Sequence, residues 1–235
     1  MSCTLEICEE TIAIDADEPR IHSSGCGALL FDVATKLFAD ETQRRLWALS
    51  AALREAYGKG ILDVVPGVNN LLVVMDPLIL HPDQMRKALM NLWKCVDANI
   101  INARDIEIPV VYGGAGKDDL LEIAGILKMG VSDIVELHSS AVYTVACIGS
   151  MPGFGYLSGL PARLTVPRRG SPRASVQKGS VIIGGSQTGV MPCAAPSGWH
   201  ILGETELEMF DVNSASPCLL VPGDRVHFRV KEVCV

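Results

Sequence analysis

The residues best suited to chemistry lie between Gly149 and Trp199, where glycine, proline, arginine, glutamine and aromatic residues are dense. Four stretches stand out: Pro152-Gly153-Phe154-Gly155-Tyr156-Leu157, Pro167-Arg168-Arg169 with Pro172-Arg173, Gly184-Gly185-Ser186-Gln187-Thr188-Gly189, and Pro196-Ser197-Gly198-Trp199-His200. Glycines such as Gly153, Gly184 and Gly185 let backbone approach a ligand closely and present N–H groups to it. Arg168 and Arg173 suit a carboxylate held by forked hydrogen bonds. Gln187 and Thr188 could orient an amide, and Phe154, Tyr156 and Trp199 could wall a pocket. Each has a bland alternative. The glycines and prolines can be turns between short strands, the arginines a solvated rim, and Phe154 and Trp199 core. The group outweighs its members, because loops on a rigid scaffold carry a disproportionate share of function.

His138, in Glu136-Leu137-His138-Ser139-Ser140, can serve as a general acid or base. Near the end of a short helix it can equally be a capping residue, and position alone favours capping. Gly113-Gly114-Ala115-Gly116-Lys117 invites a phosphate-loop reading. Asp118 stands where that loop needs a hydroxyl for magnesium, so a flexible link is favoured. Ser186 lies in no nucleophile elbow, because Gln187 and Thr188 follow it. His22, His81, His138, His200 and His227 are far apart and suggest no metal site.

These stretches need elements to position them. In the first hundred residues strands and helices alternate. Leu5 to Ile12 and Gly27 to Val33 read as strands. Asp40 with Gln43 reads as an N-cap opening a helix whose apolar face is Leu46, Leu49, Leu53 and Ala56. Ile61 to Val65 and Asn70 to Met75 read as strands around the Pro66-Gly67 turn. Pro82 suits the first turn of a second helix, with Met85, Ala88, Leu89, Leu92 and Val96 as its stripe. Ile106 to Val111 then closes a split βαβ, or ferredoxin-like, domain over residues 1–111. A helical linker region follows over 112–140. In it Asp119 and Glu122 signal one helix start, with Leu120, Ile123, Ala124 and Leu127 on its apolar side, and Ser132 caps a second helix. Over 141–235, turn dipeptides separate short apolar runs, among them Val181 to Ile183, Cys218 to Val221 and Val226 to Val230. That pattern argues for a β-barrel. The fold class is therefore α+β.

The chain has 235 residues, 49% of them hydrophobic, and a net charge of −7, enough apolar surface for a real core and no basic stripe for nucleic acid. Its N-terminus shows no secretory pattern, and apolar runs such as Asn70 to Met75 are too short to span a bilayer. The expectation is a cytoplasmic protein with neither nucleic-acid nor membrane partners. Its eight cysteines include no C-x-x-C pair and read as buried, reduced packing residues.

These motifs together resemble the allophanate hydrolase subunit 1, or KipI-like, family. The resemblance rests on Glu136 to Ser139, Pro152 to Pro161, Pro167-Arg168, Pro172-Arg173, Gly179 to Val181, Gly184 to Gly189, Gly198-Trp199, Pro222 to Val226, Asp63 to Asn70 and Ile108 to Gly114. It covers essentially the whole chain. It implies a ferredoxin-like N-terminal domain followed by a cyclophilin-like β-barrel. The commonest function it implies is that of the B subunit in a bacterial ATP-dependent 5-oxoprolinase. That complex opens 5-oxoproline (pyroglutamate) to glutamate with the help of its A and C subunits, the C subunit being the most direct partner. ATP, with Mg, would belong to the complex, none being held tightly by this chain. Two alternatives come with the family: inhibition of a sporulation-type histidine kinase, and the carboxyltransferase part of a urea carboxylase. The chain carries no biotin carboxylase or biotinyl-lysine segment, which disfavours a self-contained carboxylase. The catalytic candidates are His138, Arg168, Arg173 and Gln187. The substrate-binding candidates are Gly153, Phe154, Tyr156, Gly184, Gly185, Thr188 and Trp199. The chain departs from the family pattern at Ser150, Gln177-Lys178, Met191 (in place of a tyrosine) and Ser197.

Overall fold

A computed structural model describes residues 19–33, 38–98, 103–114 and 117–235, so the strand expected from Leu5 to Ile12 lies outside the described residues. Strand β1 (Arg20–Ser23) runs antiparallel to β2 (Ala28–Asp32), and β2 to β4 (Asn70–Met75), which in turn pairs with β3 (Ile61–Pro66). The sheet order is β1-β2-β4-β3. Helices α1 (Asp40–Tyr57) and α2 (Pro82–Cys95) cover one face. Leu46, Leu49, Leu53, Met85, Leu89 and Trp93 bury themselves there against Leu29, Phe31, Val64, Leu71, Val73 and Met75. The 3.6-residue spacing of the helices and the alternation of the strands supply those two apolar surfaces. Strands β2 and β3 are parallel with β4 between them, which is the split βαβ core.

The strand expected to close this sheet does not join it. Strand β5 (Asp105–Gly113) pairs in parallel with β13 (Arg225–Cys234) and antiparallel with β12 (His200–Glu204). The edge beside β2 is taken by β1 instead. The alternation in β5 buries Ile108, Val110 and Tyr112. Such a pattern fixes which face is apolar and leaves the partner open.

β5 belongs to a closed barrel with β6 (Tyr143–Ile148), β7 (Gly155–Ser158), β9 (Ser180–Gly184), β10 (Gln187–Val190), β12 and β13. The order around it is β10-β7-β6-β13-β5-β12-β9. Strands β8 (Arg173–Val176) and β11 (Ala195–Ser197) form a separate ribbon. Helices α3 (Lys117–Leu127) and α4 (Val131–Ser140) lie between β5 and β6 in sequence and cover the barrel with Leu120, Ile123, Ile134 and Val135. The run Cys218 to Val221 forms no named strand, only an isolated bridge from Cys218 to Phe210.

Two expected helix caps are replaced. Ala39 occupies the N-cap of α1, while Asp40 pairs with Arg44 at 2.7 Å. Gln43, freed from capping, fastens the two halves of the molecule. Its Nε2 donates to Gly67 O at 2.9 Å and Ala146 O at 3.0 Å, and its Oε1 accepts from Asn69 N at 2.8 Å. Trp47 Nε1 donates to the same Ala146 carbonyl at 3.0 Å. That carbonyl sits where the β6–β7 register shifts between Val145 and Cys147. A bulge leaves such a group without a ladder partner. Ser132 lies inside α4, and Gly130 is its N-cap, donating its N–H to Asp133 at 3.3 Å. Among the described residues no helix is long and apolar enough to cross a membrane. Of the free cysteines there, only Cys147 is buried, and Cys26, Cys95 and Cys193 are exposed, so packing does not account for most of them.

Candidate functional site

Phe154, Tyr156, Arg168 and Trp199 line one cleft of about 160 Å³, with Ile182 and Met191 also in its lining. The three rings meet edge to face, Phe154 lying 4.9 Å from Tyr156 and 5.9 Å from Trp199. The exposed Arg168 sets its guanidinium 5.7 Å from the Trp199 ring. Among the described residues no carboxylate pairs with it. Two glycines let the rings sit this close. A Cβ on Gly184 would lie 2.8 Å from Trp199 Cγ, and one on Gly189 2.9 Å from Phe154 Cζ. Ser150, at the edge of the cleft, adopts φ 67°, unusual for a residue with a side chain.

Several expected members of the site lie elsewhere. Gly153 (φ 82°) is a turn residue packed on Met209 and Phe210 and does not line the cleft. The Gly185 N–H is taken by Val166 O at 2.8 Å, so it is no free anion donor. Arg173 binds the buried Asp119, with one contact at 2.7 Å, and is absent from the cleft lining. Gln187 and Thr188 cannot serve one ligand. Neighbours along a strand face opposite ways, and the register aligns Gln187 with Gly184 but Thr188 with Ile183 of the barrel core.

Thr188 instead meets His138 inside the barrel. His138 is fully buried, stacked on Phe228 at 4.5 Å, and is not a capping residue. The Thr188 hydroxyl donates to Ile182 O at 2.9 Å, so it must accept the bond that joins it to His138 Nε2 at 3.0 Å. The ring proton is therefore on Nε2, and Nδ1 accepts from the Tyr112 hydroxyl at 2.8 Å. Tyr143 donates its hydroxyl to the His138 carbonyl at 2.8 Å. Burial holds the His138 pKa down to about 3, so the ring is neutral at physiological pH. Burial likewise pushes the Tyr112 and Tyr143 phenols up. The chain of groups is a satisfied interior network, closed off from the cleft lining.

Among the described residues no group of His, Cys, Asp or Glu could hold a metal ion. Gly113 does not cradle phosphate either. It has φ 81°, and a Cβ there would meet Cys234 O, so this glycine serves the β5–β13 contact. Met191, Ile182 and Ser150 joined the cleft without being candidates. Ile182 was legible in principle, since it alternates with the inward Val181 and Ile183.

The model of the family described as "Carboxyltransferase domain, subdomain C and D" matches residues 19–220. Among curated proteins, the chain is 44% identical over 188 residues to the 5-oxoprolinase B subunit of Escherichia coli O157:H7, covering 80% of this chain and 85% of that one. It is 41% identical to the protein of that name from Haemophilus influenzae, covering 82% of this chain and 89% of that one. It is 34% identical to the one from Bacillus subtilis, covering 79% and 82%. Among solved structures, TTHA0988 is similar with a TM-score of 0.77 and 33% identity over 87% of this chain, which spans only 40% of that longer chain. The Kluyveromyces lactis urea amidolyase shares the fold, with a TM-score of 0.77 at 18% identity over 93% of this chain and 15% of that one.

Proposed function

The chain belongs to the family of carboxyltransferase domains, subdomains C and D, and we propose that within it the chain serves as the B subunit of an ATP-hydrolysing 5-oxoprolinase, converting 5-oxo-L-proline to L-glutamate. The observation that carries this is the set of relatives named as 5-oxoprolinase B subunits, at 34% to 44% identity over about four-fifths of the chain. The cleft agrees in size and charge. Its volume of about 160 Å³ is below the ~300–1,000 Å³ of pockets that enclose larger ligands. That suits a single five-membered lactam with one carboxylate and is too small for a nucleotide. Arg168 would hold the carboxylate, and Phe154, Tyr156 and Trp199 would exclude water from the ring.

ATP supplies the driving force for opening the stable lactam, and Mg accompanies it. Gly113 serves the β5–β13 contact and the Trp199 cleft is too small for a nucleotide, so on this reading ATP is held with the help of the A and C subunits and the chain works in a complex with them. Arg168, not Arg173, is then the anion-binding residue.

The purified chain, mixed with the A and C subunits, should release glutamate from 5-oxoproline only with ATP and only when all three are present. An Arg168→Ala complex should show a KM for 5-oxoproline raised about tenfold or more, the equivalent of losing a charged hydrogen bond. Glutamate release without this chain would refute the subunit reading. An unchanged KM in Arg168→Ala would remove the cleft from the substrate path.

A further inference from the structure

Behind the rim of the cleft lies a charged cluster that the proposed reaction does not use. Asp119, in the first turn of α3, is only 2% exposed. Its carboxylate accepts hydrogen bonds from three residues on two stretches of chain. Arg169 Nη1 donates at 3.2 Å, Arg173 Nη1 at 2.7 Å with its Nη2 as well, and the Ile201 N–H at 2.8 Å. Burial pushes this carboxyl up, but the Arg173 hydrogen bond, the Ile201 N–H and the charges of both arginines outweigh it and hold the pKa below the ordinary value. Glu122, three residues on and on the same helix face, takes a second bond from Arg169 at 2.9 Å. Asp119 and Glu122 look like a helix-start signal in the sequence, yet they face the barrel loops.

Every donor in this cluster adjoins a part of the cleft. Arg169 follows Arg168, and its own N–H donates to Gly198 O at 2.8 Å. Arg173 opens β8, and its register partner Ser197 lines the cleft. Ile201 lies two residues beyond Trp199, on the outward row that also carries Ile182. A buried ion pair is weak evidence for stability, because desolvation offsets much of the attraction. What such a cluster does well is fix geometry, as supporting residues do for the groups that touch a ligand.

We propose that Asp119 is a positioning residue for the cleft: by tying the Arg168–Arg173 loop and the Trp199–Ile201 segment to α3, it sets where Arg168 and Trp199 stand and hence how tightly the substrate is bound. This rests on the reading of the cleft as the 5-oxoproline site.

The test is a double-mutant cycle in the assembled three-subunit complex, with Asp119→Asn, Arg168→Ala and both together. Asp119→Asn keeps the shape of the side chain and removes its charge. It should raise the KM for 5-oxoproline about tenfold and leave kcat within about twofold, because only binding geometry is lost. The double variant should fall well short of the product of the two single losses, because residues acting through one another are not additive. Hydrogen exchange of the free chain should show faster exchange over 167–173 and 198–201 in Asp119→Asn, with α1 and α2 unchanged. If Asp119→Asn does not fold, Arg169→Gln removes one of the same bonds, together with the Arg169–Glu122 bond, from the partly exposed side and should raise the KM in the same direction with faster exchange over the same segments. An Asp119→Asn complex with wild-type KM, or a double-variant loss equal to the product of the single losses, overturns this role while Arg168→Ala remains impaired. A wild-type KM in Arg168→Ala instead removes the reading of the cleft on which it rests.

Discussion

Acidification should weaken this fold through His138, and the size of the effect follows from its surroundings. In the folded chain burial holds its pKa near 3, against an ordinary value of 6.5. Between those values the unfolded chain binds a proton that the folded chain refuses. Stability therefore rises with pH across the window and falls as pH drops from about 6.5 toward 3. At about 1.4 kcal/mol per pH unit inside the window, going from pH 7.5 to pH 5 costs about 2 kcal/mol. For a chain of this length that is a fall in Tm of about 4–8 °C. A protonated ring would also turn an N–H toward Tyr112, whose own hydroxyl proton would lose its acceptor. Asp119 does not confuse the measurement. Its pKa is lowered from 3.8, so the stability it contributes is lost only in more acid solution. The assay is Tm by calorimetry at pH 7.5 and pH 5 for the wild type and for His138→Gln, whose amide can donate to Thr188 and accept from Tyr112. The wild type should lose several degrees more than the variant over this interval. Equal losses in the two proteins would refute the reasoning.

Gln43→Leu should lower unfolding stability by about 3 kcal/mol in urea titration, because Gly67 O, Asn69 N and Ala146 O lose their shared partner. A loss under about 1 kcal/mol would refute the view that Gln43 is a main fastener of the two halves. Gly184→Ala puts a methyl 2.8 Å from Trp199 Cγ and must push the ring off the cleft wall. Its tryptophan emission should shift and its KM for 5-oxoproline rise, at a stability cost of about 1–3 kcal/mol. Unchanged emission would show that the backbone absorbs the clash.

The sequence carried much of this architecture because its periodicities are strong. β4 occupies the expected Asn70–Met75, and α2 opens at Pro82 as read. The failures have physical causes. β5 has the alternation of a half-buried strand, which says nothing about whether β2 or β13 is its neighbour. Asp40 and Gln43 have capping spacing, but the amide of Gln43 finds better partners across the molecule. Asp119 and Glu122 do mark the start of α3, as read, but the spacing does not show their tertiary partners, which lie 50 or more residues away for Asp119 and 47 for Glu122. Local chemistry can be read from a local window, whereas a tertiary contact has no local signature.

The β9–β10 hairpin shows why the candidate list mixed two unrelated groups. Its outward positions, Ile182, Gly184 and Gly189, make the bed on which Trp199 and Phe154 rest. Its inward positions, Ile183 and Thr188, belong to the barrel core and to His138. A single layer of backbone therefore separates the cleft from the buried network, although Gln187 and Thr188 are adjacent in the chain. Applying the two-residue period of a strand to Gly184–Val190 assigns Thr188 to the core with no structure in hand. The same period leaves the glycines on the other side, where a missing side chain lets an aromatic ring approach. On the proposed reading of the cleft, substrate contacts belong to its outward face. Substitutions at Thr188 and His138 should act through stability, and those at Arg168 and Gly184 through substrate binding.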